Sequence, residues 1–180
     1  MKLAAITGHT SGIGKALAAA LAVRGWEIQG FSRAGGYDIA TSEGRERIVR
    51  EASNASLFIN NAYSGGAQTE LLYSFFEVWK SEAKTIVCIG SDSSDGIKNY
   101  AHPYAVHKAG LDKAAEQLAK VSDASCRVFN IKPGWVNTPR AKVRPANEPA
   151  LAPEDVAAAV IWAIEQPARV YVSRMSLTAR

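Results

Sequence analysis

Short apolar runs alternate with longer helix-patterned segments along this chain, and few architectures accept that order. "LAAIT" (3–7), "WEIQGFS" (26–32), "SLFIN" (56–60), "TIVCIGS" (85–91) and "CRVFNIK" (126–132) have strand length. They lack clean polar alternation, as strands buried on both faces do. Between them lie "IGKALAAALAVRG" (13–25), "TSEGRERIVREAS" (41–53), the stretch 67–80 and "AVHKAGLDKAAEQLAKV" (105–121), all with helical spacing. Gly25 stops the first helix, and Thr41 or Ser42 caps the second. A last helix is predicted over 152–166, with Pro153 at its start and acids in its first turn. "GGYDIA" (35–40) reads as a turn and a very short strand, and "RVYVSRMSL" (169–177) as a final strand. The order predicts an α/β fold, a parallel sheet with helices on both faces.

The length of 180 residues fits one domain over 1–180. The net charge of +4 comes from scattered Lys and Arg with no run of five. No nucleic-acid surface is expected from that; a mild positive bias suits an anionic small ligand. Cys88 and Cys126 sit in apolar runs and read as buried reduced thiols. Neither they nor His9, His102 and His107 have metal-ligand spacing, so no metal is expected. The start "MKLAAITGH" reaches Gly and His too early for a signal peptide, and no apolar stretch is long enough for a membrane span. A cytoplasmic protein with no membrane partner is the expectation.

"TGHTSGIG" (7–14) follows the first strand and opens the first helix. Gly8, Gly12 and Gly14 permit a tight turn and close backbone approach, and the helix N-terminus offers free N–H groups to a phosphate. No Gly-Lys-Ser/Thr sequence is present, which disfavours a phosphoryl-transfer loop. In an open α/β sheet a ligand lies outside the carboxyl ends of the strands. Those ends carry Ser32-Arg33, Asp38-Ile39, "NNA" (60–62), Ser91 and "PGWVNTP" (133–139).

With "YAVHK" (104–108), this ordered set resembles the short-chain dehydrogenase/reductase family, in a shortened form. Ser91 and Tyr104 are 13 residues apart, as that family's pattern expects. The resemblance covers nearly the whole chain. It implies a Rossmann-like doubly wound sheet of seven mostly parallel strands, in the order 3-2-1-4-5-6-7. It implies an oxidoreductase moving hydride between a nicotinamide and a small carbonyl or alcohol substrate. Tyr104 would be the general acid/base, Lys108 would hold the nicotinamide ribose and favour the phenolate, and Ser91 would hydrogen-bond the substrate oxygen. The phosphate turn would be Gly8, Thr10, Ser11, Gly12, Ile13 and Gly14. Asp38 and Ile39 would flank adenine, and Asn60 and Ala62 would shape the adenosine side. Thr138 would contact the carboxamide, with Pro133, Gly134 and Val136 lining the nicotinamide pocket. Homodimers or homotetramers are expected, paired through helices at about 67–81 and 103–121.

The residues support those roles. A free Tyr titrates near pH 10, a poor match to neutral pH. Residues four apart share a helix face, so the Lys108 ammonium can sit near the Tyr104 phenol and favour its ionised form. Ser32-Arg33 stands where NAD readers usually carry an acid. A carboxylate would repel a 2′-phosphate, whereas Arg pairs with it. NADP(H) is therefore expected over NAD(H), with His9 and Thr10 as additional phosphate contacts.

Three departures stand out. Tyr63 replaces the Gly that usually follows "NNA", and reads as a local structural accommodation. Residues 63–84 contain no Asn, although many family members place a catalytic Asn there. The loop from Pro139 to Leu151 is brief, which leaves a site that is open or closed by a partner subunit, and in which Trp135, Arg140 and Arg144 could meet substrate. His102 and His107 read as polar surface residues. The departures leave a second reading, a non-catalytic NADP(H)-binding sensor or scaffold of the same fold.

Overall fold

A computed structural model describes residues 2–139, 148–167 and 169–180. Its elements are β1 (Leu3–Thr7), α1 (Gly12–Ala22), β2 (Glu27–Phe31), α2 (Ser42–Glu51), β3 (Leu57–Asn60), α3 (Ala67–Trp79), β4 (Thr85–Ile89), α4 (Pro103–Leu118), β5 (Arg127–Pro133), α5 (Pro153–Ile164) and β6 (Arg174–Leu177). The strands form one sheet in the order β2-β1-β3-β4-β5-β6, with every pairing parallel.

The strands alternate their side chains between two cores. Ala5, Phe58, Ile86, Cys88 and Val128 face α2, α3 and α4, whose Ile48, Leu71, Phe75, Trp79 and Leu111 pack against them. Ala4, Ile6, Leu57, Ile59, Val87, Phe129 and Ile131 face α1 and α5 through Leu17, Leu21, Val156 and Val160. Both faces are covered, which is why the strand segments read as continuous apolar runs. The chain leaves β1 toward β2 on one side and returns to β3 on the other. That reversal opens a crevice at the carboxyl ends of β1 and β3.

The doubly wound parallel architecture is as expected, but the sheet has six strands rather than seven among the described residues. "GGYDIA" does not extend. Arg33–Gly35 form a 3-10 turn, Gly36 takes φ +83°, and the Asp38 carboxylate accepts from Ala40 N at 3.0 Å. An Asx turn of this kind satisfies the backbone locally and removes the drive to pair with β2. The last strand is also shorter than 169–177. The Tyr171 hydroxyl accepts from Val128 N at 3.1 Å and donates to Val128 O at 2.7 Å. A side chain thus occupies backbone groups that a longer strand would have paired.

Candidate active site

The glycine turn is held in shape from both sides. Gly8 and Gly12 take φ of 71° and 51°, a region favoured by glycine. A Cβ on Gly14 would lie 2.2 Å from Gly8 O, so α1 starts against the turn with no space between them. Asn61 Nδ2 donates to Thr7 O at 3.0 Å and to Gly8 O at 3.4 Å. Thr7 Oγ1 accepts from the N–H groups of Asn61 and Ala62 at 3.0 and 3.1 Å. These bonds staple the end of β3 to the end of β1. Ser11 caps α1 with extended backbone and no side-chain hydrogen bond, and no acid stands in the first turn. Such a helix end favours an anion.

A cleft of about 1570 Å³ runs across these strand ends. That exceeds the ~300–1,000 Å³ usual for a drug-sized ligand. Gly8, Thr10, Ser11, Gly12 and Ile13 line it after β1, Ser32, Arg33, Asp38 and Ile39 after β2, and Ala62 after β3. Ser91, Tyr104, Lys108, Pro133, Gly134, Val136 and Thr138 line the other half. Thr138 reaches back over the turn, since a Cβ on Gly12 would meet its Cγ2 at 3.0 Å. Gly14 and Asn60, like His9 below, are expected residues that lie elsewhere. Gly14 lies beneath the turn as a spacer. Asn60 is fully buried and donates to Gln68 O at 2.7 Å, while its neighbour Asn61 takes the place at the cleft wall.

At the β2 end the Ser32 hydroxyl accepts from Gly35 N at 3.2 Å, which fixes the turn that carries exposed Arg33 at the rim. Tyr37 adds an unforeseen aromatic wall. Its hydroxyl donates to Glu51 Oε2 at 2.6 Å, and the Arg47 guanidinium stacks 4.3 Å from its ring centre. The hydrogen bond to Glu51 holds the Tyr37 phenol above its ordinary value and the Glu51 carboxyl below its own. His9 does not line the cleft. Its ring lies over Gly30, where a Cβ would come within 2.4 Å of it.

At the other end, α4 carries Tyr104 and Lys108 into the cleft from its first two turns. Lys108 is 3% exposed. Its Nζ donates to Gln68 Oε1 at 2.6 Å and to Ile89 O at 2.7 Å, and stands 5.5 Å from the Tyr104 ring centre. Ser91 Oγ lies 2.8 Å from Ser93 Oγ and accepts from Ser93 N at 3.2 Å. Asp92 follows it into the cleft wall, and burial raises its carboxyl above its ordinary value.

Tyr63 is more than an accommodation. It lines the cleft, its ring meets Tyr104 edge-on at 4.9 Å, and its hydroxyl bonds His107 Nδ1 at 2.9 Å. His107 is therefore half-buried against the site rather than a free surface group, and His102 lines the cleft beside Tyr104. Trp135 lines it too, whereas Arg140 and Arg144 lie outside the described residues. Among the described residues no cluster of three or more His, Cys, Asp or Glu could hold a metal ion, and no helix is long and apolar enough to cross a membrane.

Sequence reasoning missed Gln68. A signal was present: residues 68, 71, 72, 75, 76 and 79 form the buried stripe of α3, and only the first is polar. A polar side chain on an apolar stripe needs partners, and here they are Lys108 and the carbonyls of Asn60 and Ile89.

No protein-family model matches the sequence, and no curated protein matches it significantly. Solved structures do match in fold. An alcohol dehydrogenase from the archaeon Thermococcus sibiricus, complexed with 5-hydroxy-NADP, is 20% identical, with 99% of this chain and 97% of that one covered and a TM-score of 0.83. A 3-ketoacyl-(acyl-carrier-protein) reductase from Brucella melitensis, complexed with NADH, is 18% identical over 98% and 95% of the two chains, TM-score 0.83. The L-sorbose reductase of Gluconobacter frateurii, complexed with NADPH and L-sorbose, is 20% identical over 98% and 95%, TM-score 0.81. The chain has the fold of the short-chain dehydrogenases and reductases, the family its motifs resemble.

Proposed function

We propose that this protein is a member of that family, an NADP(H)-dependent oxidoreductase that interconverts a small carbonyl compound and its alcohol. The observation that carries the reading is the joint presence of Ser91, Tyr104 and buried Lys108 in a cleft that begins at an anion-ready glycine turn. The residues fit a dinucleotide. The turn ends in an α1 N-terminus with no acid in its first turn, and the cleft that begins there is large enough to take more than a pyrophosphate. Thr10, Ser11, Gly12 and Ile13 would hold the pyrophosphate, and Ser32 and Arg33 the 2′-phosphate. Asp38, Ile39 and Ala62 would flank the adenosine, and Pro133, Gly134, Val136 and Thr138 the nicotinamide.

The bound nicotinamide supplies the hydride. The chain supplies orientation and the proton. Ser91 would donate to the carbonyl oxygen and hold it toward Tyr104. Tyr104 would give its phenolic proton to that oxygen during reduction and take it back during oxidation. A unit positive charge 5.5 Å from the ring centre favours the phenolate by on the order of 3 kcal/mol at an effective dielectric near 20. Lys108 thus makes the phenol a better proton donor at neutral pH. NADP(H) is preferred because Arg33 can pair with a phosphate, and no carboxylate ends β2 to repel one.

NADPH oxidation against a panel of aldehydes, ketones and quinones tests the reading, with Tyr104→Phe as the control. Turnover that Tyr104→Phe abolishes is the expected result. Tight NADPH binding with no turnover on any member would favour the sensor reading instead.

A further inference from the structure

Gln68 is 2% exposed and sits on the core-facing stripe of α3. An amide there is costly unless its polar atoms are paired. Nε2 donates to Asn60 O at 2.8 Å and to Ile89 O at 3.3 Å, and Oε1 accepts from Lys108 Nζ at 2.6 Å. These partners fix the sense of the amide. Rotated by half a turn, its NH₂ would meet an ammonium and its oxygen would meet two carbonyls, three repulsive contacts in place of three bonds. The two backbone carbonyls end β3 and β4, so Oε1 is aimed by the sheet itself.

The consequence falls on Lys108. Two of its three donors go to Gln68 and to Ile89 O, both neutral acceptors. These two bonds hold the ammonium within 5.6 Å of the Tyr63 and Tyr104 ring centres. A neutral anchor fixes the position without cancelling the field; a carboxylate there would fix it and cancel it.

We propose that Gln68 is the positioning residue for Lys108, holding the ammonium beside Tyr104 while leaving its charge to act on that phenol. The proposal rests on the acid role given to Tyr104 for its functional meaning, but its physical test does not need turnover. Tyrosinate absorbance is titrated in the cofactor-free protein, with Tyr104→Phe subtracted to isolate Tyr104. Gln68→Glu keeps an acceptor and adds a charge; Gln68→Met keeps the volume and removes the acceptor. Both are expected to move the Tyr104 midpoint up by about one unit or more, the first by cancelling the field and the second by releasing the cation.

The Cε resonance of Lys108, assigned with Lys108→Met, separates the two causes. Its ammonium should keep its proton to higher pH in Gln68→Glu and lose it earlier in Gln68→Met. A lowered melting temperature with no movement of the Tyr104 midpoint in either variant would make Gln68 a purely structural residue and overturn the proposal. If Gln68→Met does not fold, Gln68→Leu, which also removes the acceptor without adding a charge, takes its place. If the midpoint moves but the pH profile of turnover does not follow it, Gln68 stands and the acid role of Tyr104 falls.

Discussion

Gly14→Ala sets two known effects against each other at one atom. Gly14 lies in the first turn of α1, and alanine in a helix is favoured over glycine by about 1 kcal/mol. The added Cβ would stand 2.2 Å from Gly8 O, 2.8 Å from Gly8 C and 2.7 Å from Asn61 Nδ2. Carbon contacts are comfortable at about 3.5 Å, so the glycine turn must yield by roughly an ångström. Overpacking typically costs about 1–3 kcal/mol. The upper end applies, because the obstacle is backbone and Asn61 pins it to Thr7 O and Gly8 O. The net loss is then about 2 kcal/mol, or about 4–8 °C in Tm for a chain of this size. The strain falls on the turn that would hold the pyrophosphate, so NADPH affinity should drop by at least about tenfold, ~1.4 kcal/mol.

Gly110→Ala is the control. It lies in α4 with nothing within 4 Å of its Cβ position, so Tm should rise by about 2–4 °C. Thermal melts and nicotinamide-fluorescence titrations read both variants. A Gly14→Ala protein that melts no lower than the wild type and binds NADPH equally well would refute the packing argument.

Arg33→Ala should weaken NADPH by about tenfold, ~1.4 kcal/mol, and leave NADH unchanged; equal binding of the two cofactors by the wild type would sink the phosphate assignment. The Cys88 and Cys126 thiols are both pushed up to about 12, burial being the main cause. A thiol reagent near neutral pH should therefore find neither in the native protein and both after denaturation. In the unfolded chain the same thiols release protons from about pH 9 that the fold retains to about 12. Stability should therefore fall as pH rises through that window, and replacing both cysteines by Ala should flatten the fall in urea titrations at high pH.

Much of this architecture could be read from residue order. The apolar runs 3–7, 56–60 and 85–91 became β1, β3 and β4, the last ending two residues earlier at Ile89, because a strand covered on both faces is apolar throughout. Local side-chain bonding was not readable. Asp38 closes an Asx turn where a third strand was expected, and Tyr171 bonds the backbone of Val128 where β6 was expected to extend. The site divides in the same way. Ser91, Tyr104, Lys108 and most of the glycine turn are marked by spacing, and they do line one cleft. Gln68, Asn61 and the Tyr63–His107 pair depend on which elements pack side by side, and α3, which has no Asn, touches Lys108 through the Gln68 amide instead.

The central claim is that this cleft delivers a hydride from a nicotinamide and a proton from Tyr104 to one carbonyl group. NADPH carrying deuterium at the transferable position of its nicotinamide ring tests that most directly, with mass analysis of the alcohol formed from whichever carbonyl supports turnover. The account predicts one deuterium on the carbinol carbon with the wild type and none with Tyr104→Phe, although Tyr104→Phe still binds NADPH. Labelled alcohol formed equally well by Tyr104→Phe, or NADPH bound tightly with no label reaching any carbonyl, would contradict it.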